Sequence, residues 1–106
     1  MSKPAENQAI ERIILVNIKD GISESQLDIV AQYGKELLGA IPGVEQVSFG
    51  TALHSDASYQ CHVRIRFHDA DALQVYETHP NHAAFGLQEW LPIIADEILA
   101  DYVMAY

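Results

Sequence analysis

The segment that spans residues 10–19 constrains the fold of this chain more than any other. It is rich in apolar and β-branched residues, which is typical of a β-strand. Side chains alternate between the two faces of a strand, and here both faces are apolar. One face carries Arg12, Ile14, Val16 and Ile18, and the other carries Ile13, Leu15 and Asn17. Helices on one side of a sheet leave its second face in water, so we expect a second copy of the same sheet to cover it.

Helices and further strands follow this segment along the chain. Ser23 and Gln26 have the pattern of a capping box, which predicts the start of a helix. Gly50 predicts a bulge or bend in the second strand, and Pro92 is expected to kink the last helix or end it early. The predicted elements are a helix at 23–40, strands at 44–53 and 59–67, a helix at 69–78, a further helix from Pro80 and a last strand at 98–106.

The resulting order is β-α-β-β-α-β, which is the pattern of a ferredoxin-like α+β fold. We expect one four-stranded antiparallel sheet with the helices on one face and the strand order 4-1-3-2. Two such sheets are expected to pack face to face, so that a homodimer forms an α/β barrel. Residues 1–9 are polar and are expected to be a disordered lead, and residues 10–106 form one domain.

Charge and composition exclude several classes of partner. The formal net charge is −9 with only six Lys and Arg residues, which disfavours nucleic acid and anionic membranes. Arg64 and Arg66 share one face of the third strand, where we favour ion pairs over an anion site. Cys61 is the only cysteine, so it forms no internal disulfide, and we expect a small buried apolar residue. Residues 1–9 lack an apolar signal sequence, and we expect a cytoplasmic location.

The stretch His79-Pro80-Asn81-His82-Ala83-Ala84-Phe85 lies between two predicted helices. Pro80 suits the first position of a helix, so we expect this turn to form the rim of a pocket. His79 and His82 are three residues apart, a spacing that also suits two metal ligands on one helix face. No Cys, Asp or Glu stands at a supporting spacing, so we predict no metal and no cofactor.

Four segments carry a resemblance to a known family. The most specific is the His-Pro-x-His motif at 79–82 with Phe85 three residues later. The segments are RIILVNIKDGISESQ, the turn IPGV with the FG that follows it, SYQCHVRIRF with DADALQVYETHPNHAAF, and DYVMAY. On these residues the chain resembles the stress-responsive dimeric α/β-barrel proteins. The resemblance implies a homodimer whose two sheets close into a barrel.

One branch of that family consists of plant polyketide cyclases, which close a linear polyketide without a cofactor. The similarity to this branch implies that Tyr76 and His82 form a catalytic pair. Two further histidines of the branch fall on Arg12 and Cys61 in this chain, with His62 on the opposite face. The pocket is therefore chemically different, and the cyclase substrate is not carried over.

Tyr76 and His82 are also suited to proton transfer next to a carbonyl group. An imidazole titrates near neutrality and can remove the proton, while a phenol stays protonated and donates to the enolate oxygen. Arg12 is a candidate to hold a carboxylate or the enolate. The alternatives are a core role for Tyr76, a packed His82 and an ion pair for Arg12.

Three functions remain open for the pocket between sheet and helices. The first is binding of a small apolar or carbonyl-containing molecule, with Arg12, Cys61, His79 and Phe85 as ligand-binding residues beside Tyr76 and His82. The second is a cofactor-independent cyclase or lyase that uses Tyr76 and His82. The third is a scaffold whose cavity is filled by aromatic side chains, namely Phe67, Phe85 and Trp90.

Overall fold

The structure is a computed structural model and describes residues 8–105. The strands are β1 (Ile10–Ile18), β2 (Val44–Thr51), β3 (Cys61–Phe67) and β4 (Ile94–Val103). The α-helices are α1 (Glu24–Gly39), α2 (Ala70–Thr78) and α3 (Pro80–Phe85), and α3 continues into a π-helical turn (Gly86–Trp90) and a 3-10 turn (Leu91–Ile93). Among these residues no helix is both long and apolar enough to span a bilayer.

The four strands form one sheet in the order β2-β3-β1-β4, and every neighbouring pair is antiparallel. This confirms the predicted ferredoxin-like topology, with β1 in the interior of the sheet. The two longer helices pack mainly over β2 and β3. Because β4 has less cover, Leu99 and Val103 on its helix side remain 47% and 46% exposed.

Helix α1 begins where the capping box predicts. The Ser23 side chain accepts a hydrogen bond from the Gln26 backbone, and the Gln26 side chain accepts one from the Ser23 backbone. Gly43 has a φ of 88°, a left-handed conformation that suits glycine, in the turn that leads to β2.

Strand β4 begins at Ile94, so the prediction that it starts at residue 98 was wrong. Pro92 lies in the 3-10 turn and ends the helical segment early, which leaves Ile94 free to pair with Ile18. Strand β3 begins at Cys61 rather than at residue 59. Immediately before it, the Gln60 backbone N–H donates to the Asn17 side chain, which replaces a bond between strands.

The predicted bulge at Gly50 was also wrong. Gly50 pairs in regular register with His62, and the irregularity of β2 lies between Val44 and Gln46 instead. A Cβ atom at position 50 would lie 2.7 Å from His62 Cε1. The glycine therefore makes room for the imidazole ring.

The core lies between the sheet and the helices. Val16, Ile65 and Phe67 are fully buried on this side, against Leu38 of α1 and Tyr76 of α2. The opposite side of the sheet, called the outer face below, is not covered by any helix among residues 8–105. Its apolar residues are Ile13, Leu15, Ile98, Ala100 and Tyr102.

The two chain ends fall only partly within the described residues. The expected disordered lead at 1–9 lies outside them except for Gln8 and Ala9. The Gln8 side chain donates to the Met104 carbonyl oxygen, and the Met104 N–H donates to the Ala9 carbonyl oxygen. Tyr106, the expected end of the last strand, also lies outside the described residues.

Candidate functional site

A cavity of about 90 Å³, called the inner cavity below, lies between the β1–β4 side of the sheet and the α2–α3 connection. Its polar lining consists of Arg12, Tyr76, His82 and Glu97. Its other lining residues are Ile14, Leu38, Val63, Ile65, Phe85, Gly86, Trp90 and Leu99. The structure therefore brings together Arg12, Tyr76, His82 and Phe85 of the predicted site.

Tyr76 and His82 are stacked because the chain turns sharply between their helices. Helix α2 ends at Thr78, and Pro80 starts α3 at its first position. The turn brings the two rings to a centroid separation of 4.3 Å, with 29° between their planes. Phe67 supports Tyr76 from the core with an edge-to-face contact at 5.0 Å. These contacts hold both functional groups at the inner cavity.

The surroundings of Tyr76 keep its hydroxyl protonated. The residue is 3% exposed, and burial raises the pKa of Tyr76 to about 12, with Arg12 opposing this shift and nearby carboxylates adding to it. A phenol in this environment donates a hydrogen bond at neutral pH. His82 Nδ1 lies 3.4 Å from the Glu77 carbonyl oxygen. With the proton on Nδ1, Nε2 carries the lone pair that a base needs.

Arg12 is buried at 7% exposure and is held by two carboxylates. Its Nε donates to Asp101 Oδ1 at 2.8 Å, and its Nη2 donates to Asp101 Oδ2 at 3.0 Å and to Glu77 Oε1 at 2.6 Å. Burial lowers the pKa of Arg12, but the bonds to both acids outweigh this effect and raise it overall. The guanidinium also lies 5.7 Å from the Tyr76 ring centroid.

His79 has a local role at the start of α3. Its Nδ1 accepts a hydrogen bond from the Asn81 backbone N–H at 3.0 Å, so the residue caps the helix. It is absent from the lining of the inner cavity. Within residues 8–105, no group of three or more His, Cys, Asp or Glu side chains is placed to hold a metal ion.

Cys61 lies in a different cavity from the other predicted residues. This second cavity, called the edge cavity below, has a volume of about 270 Å³ between α1 and the ends of β2 and β3. It is lined by Ile18, Leu27, Asp28, Val30, Ala31, Phe49, Gly50, Thr51, Cys61, His62 and Trp90. Burial raises the pKa of the Cys61 thiol, which keeps it protonated and a poor nucleophile.

The sequence-based reasoning missed three acids near the site, namely Glu77, Glu97 and Asp101. Asp101 pairs directly with Arg12 across the β1–β4 ladder, so the register of the last strand would have identified it. Glu97 accepts a hydrogen bond from the Trp90 indole at 3.2 Å. Neither contact follows from spacing along the chain, because each joins different elements of the fold.

Comparisons with known proteins agree with this architecture. Residues 10–104 match the family described as "Stress responsive A/B Barrel Domain". Olivetolic acid cyclase of Cannabis sativa is 28% identical over 81 residues, which cover 74% of this chain and 80% of that protein. A ferredoxin-like protein of the same family from Mesorhizobium loti has a TM-score of 0.80 at 23% identity, over 93% of this chain and 99% of the other. A dimeric ferredoxin-like protein of unknown function from Thermobifida fusca has a TM-score of 0.80 at 25% identity, over 92% of each chain.

Proposed function

The chain belongs to the stress responsive A/B barrel domain family, and on that premise we propose that it binds a small, uncharged carbonyl compound in the inner cavity. The observation that carries this proposal is the convergence of Arg12, Tyr76 and His82 on one largely apolar space. Ligand sites typically combine an apolar lining with a few polar groups that orient the ligand. The Tyr76 hydroxyl is the donor for the carbonyl oxygen.

The electrostatics of the inner cavity favour an uncharged ligand. The charge of Arg12 is already balanced by Asp101 and Glu77, and Glu97 adds another carboxylate to the lining. A carboxylate ligand would therefore meet more negative than positive charge. An anion held by Arg12 is a poorer fit than a ketone or aldehyde that accepts a single hydrogen bond.

A second candidate function is proton transfer next to that carbonyl group, as in a cofactor-independent cyclase or lyase. The stacked arrangement of Tyr76 and His82 favours it, since both groups face one cavity. His82 Nε2 would take a proton from the carbon beside the carbonyl, and the Tyr76 O–H would donate to the enolate oxygen that forms. The enolate carbon would then attack a second carbonyl of the same molecule and form a C–C bond, with the proton returned to the new alkoxide. The similarity to olivetolic acid cyclase supports this candidate.

The same proposal includes a homodimer in which the outer faces of two sheets pack against each other. Ile98 and Tyr102 on that face are 52% and 54% exposed in the protomer, and two half-buried residues of β1 extend the apolar surface. The dimeric relative from Thermobifida fusca is consistent with this assembly. A cytoplasmic location and a part in a stress response stay predictions.

Fluorescence of the single tryptophan tests the binding proposal, because Trp90 lines the inner cavity. We expect small ketones to change the emission of the parent protein saturably and to bind Tyr76→Phe at least several-fold more weakly, since the variant lacks the donor. Equal binding by both proteins would remove the proposed role of Tyr76 as the hydrogen-bond donor. Turnover of diketones by the parent, Tyr76→Phe and His82→Ala separates binding from catalysis. Equal turnover by all three would remove the catalytic candidate.

A further inference from the structure

We propose that Trp90 sets the maximum length of the ligand, because its side chain divides the inner cavity from the edge cavity. Trp90 lines both cavities, whereas Tyr76 and His82 line only the inner one and Cys61 only the edge one. This inference rests on the proposed function for the polar end of the ligand, which lies at Tyr76 and His82.

The division is an aromatic wall formed by Phe49, Phe85 and Trp90. The Trp90 ring is stacked on Phe85 at 5.8 Å and meets the edge of Phe49 at 6.0 Å. Phe49 and Phe85 are themselves in edge contact at 6.4 Å. Phe85 lines the inner cavity and Phe49 lines the edge cavity, so the wall has one phenylalanine on each side.

The two phenylalanines of this wall are held tightly against α1. A Cβ atom at Gly34 would lie 2.7 Å from Phe49 Cζ and 2.9 Å from Phe85 Cζ, so the glycine makes room for both rings. These rings therefore have little space to withdraw toward α1. Trp90 is the bulkiest member of the wall, so replacing its indole with a smaller side chain opens the largest passage between the cavities.

Two features fix the Trp90 indole in the dividing position. The π-helical turn ends at Trp90, with the Leu91 N–H bonded to the Gly86 carbonyl oxygen five residues earlier. This wider turn displaces the side chain from its position in a regular α-helix, and such turns are frequent at functional sites. The indole N–H then donates to Glu97 Oε2 of β4. Backbone and hydrogen bond thus orient the ring together.

The wall predicts which carbonyl compounds bind. The inner cavity of about 90 Å³ has room for a short chain beside the carbonyl group. A longer apolar tail would have to pass Trp90 to reach the edge cavity, whose lining is mostly apolar. With Trp90 present, short-chain ketones are therefore the preferred class. Without the indole, the two cavities join and longer straight-chain ketones are accommodated.

Calorimetric titration with straight-chain 2-alkanones of four to eleven carbons tests this inference. We expect the affinity of the parent to stop rising after the short members, whereas Trp90→Ala continues to gain roughly threefold to fourfold per added methylene up to longer chains. Trp90→Leu replaces the indole with a smaller side chain that keeps apolar contact with Phe49 and Phe85. This variant is used for the same titrations if the alanine variant does not fold. Leu87→Ala is the matched control, since Leu87 is 68% exposed in the same turn.

Two outcomes overturn the inference. One is the same length dependence in the parent and both Trp90 variants, and the other is no binding of any chain length by a folded Trp90 variant. Parallel titrations with n-alkanes distinguish a failure of this inference from a failure of the proposed carbonyl site. If alkanes and ketones of equal size bind equally, the carbonyl site is wrong, while the length dependence of either series still decides the role of Trp90.

Discussion

The two faces of the sheet carry similar apolar residues but differ in what covers them. On the helix side, β1 buries Ile14 and Val16 under the helices at 8% and 0% exposure. On the outer face, Ile13 and Leu15 of the same strand are only half-buried, and Ile98 beside them is 52% exposed. Alternation along a strand therefore predicts two apolar faces, but it does not identify what covers each one.

The two faces also differ in the burial of their ion pairs. On the helix side, the buried Arg12 is enclosed by two acids beside the candidate site. On the outer face, Arg66 pairs with Glu11 at 2.9 Å and with Glu45 at 3.2 Å, in a more exposed setting. The first cluster shapes a cavity, and the second lies around the proposed contact between subunits.

The largest expected effect comes from a charge on the outer face. In Leu15→Glu, dimerisation would bury an unpaired carboxylate, so we expect a folded monomer at micromolar concentration where the parent is a dimer. Sedimentation velocity measures both states. Ile29→Glu is the control, because Ile29 is 64% exposed on α1, away from the sheet, and should leave the dimer intact. If the parent itself is a monomer, the proposal that a second subunit covers the outer face is wrong.

The next effect tests the helix side by removal of core volume. We expect Phe67→Ala to lower the free energy of unfolding by about 3–5 kcal/mol, because the fully buried ring leaves a cavity between sheet and helices. Urea denaturation measures the change. Leu53→Ala, at a residue that is 90% exposed, should change the stability by less than about 0.5 kcal/mol. Similar losses in both variants would contradict the burial of the helix side.

The charged clusters provide a third test. Arg12→Met leaves Asp101 and Glu77 without their cation, and we expect a loss of roughly 2–4 kcal/mol, reduced from the fully buried case because both acids are partly exposed. Arg66→Met on the outer face should change the stability of the protomer little. Thermal unfolding of the two variants, compared in the Leu15→Glu background, removes any contribution from association. A larger loss of stability in Arg66→Met than in Arg12→Met would contradict this difference between the two faces.

The smallest expected effect is a loss of stability in alkali that depends on Tyr76. A tyrosine in the unfolded chain ionises near pH 10, whereas burial raises the pKa of Tyr76 to about 12 in the folded state. The folded state then holds the proton more tightly than the unfolded chain does. The resulting contribution to the free energy of unfolding is complete below pH 10 and is lost as the pH rises toward 12. The difference amounts to roughly 2–3 kcal/mol. In urea titrations at increasing pH, the stability of Tyr76→Phe should lack this part of the alkaline decline. If the parent and Tyr76→Phe have the same pH profile of stability, Tyr76 ionises normally.

Much of the fold follows from local patterns. The capping box at Ser23, the alternation of β3 and the break at Pro80 each predict an element that the structure contains. The start of β4 was misplaced, because a short 3-10 turn around Pro92 has no periodic signal of its own. At Gly50, the pattern identified a special position but assigned the wrong reason, since the contact with His62 comes from the neighbouring strand.

The candidate site follows from the sequence only in part. The resemblance to the polyketide cyclases implied the pair Tyr76 and His82, and their rings are stacked. Cys61 was grouped with them because a pocket histidine of the cyclase branch falls on this position, but the structure places Cys61 in a second cavity. The wall between the cavities is built from β2, α3 and the π-helical turn, and no periodic pattern contains that information.

The sequence by itself determined the β-α-β-β-α-β order, the apolar character of both sheet faces and the helix break that precedes His82, because these depend on residues close together in the chain. Only the tertiary structure decided that Asp101 and Glu77 neutralise Arg12 and that Trp90 separates Cys61 from Tyr76. Those contacts join distant segments, and their geometry depends on strand register and helix packing, which alternation and spacing leave open.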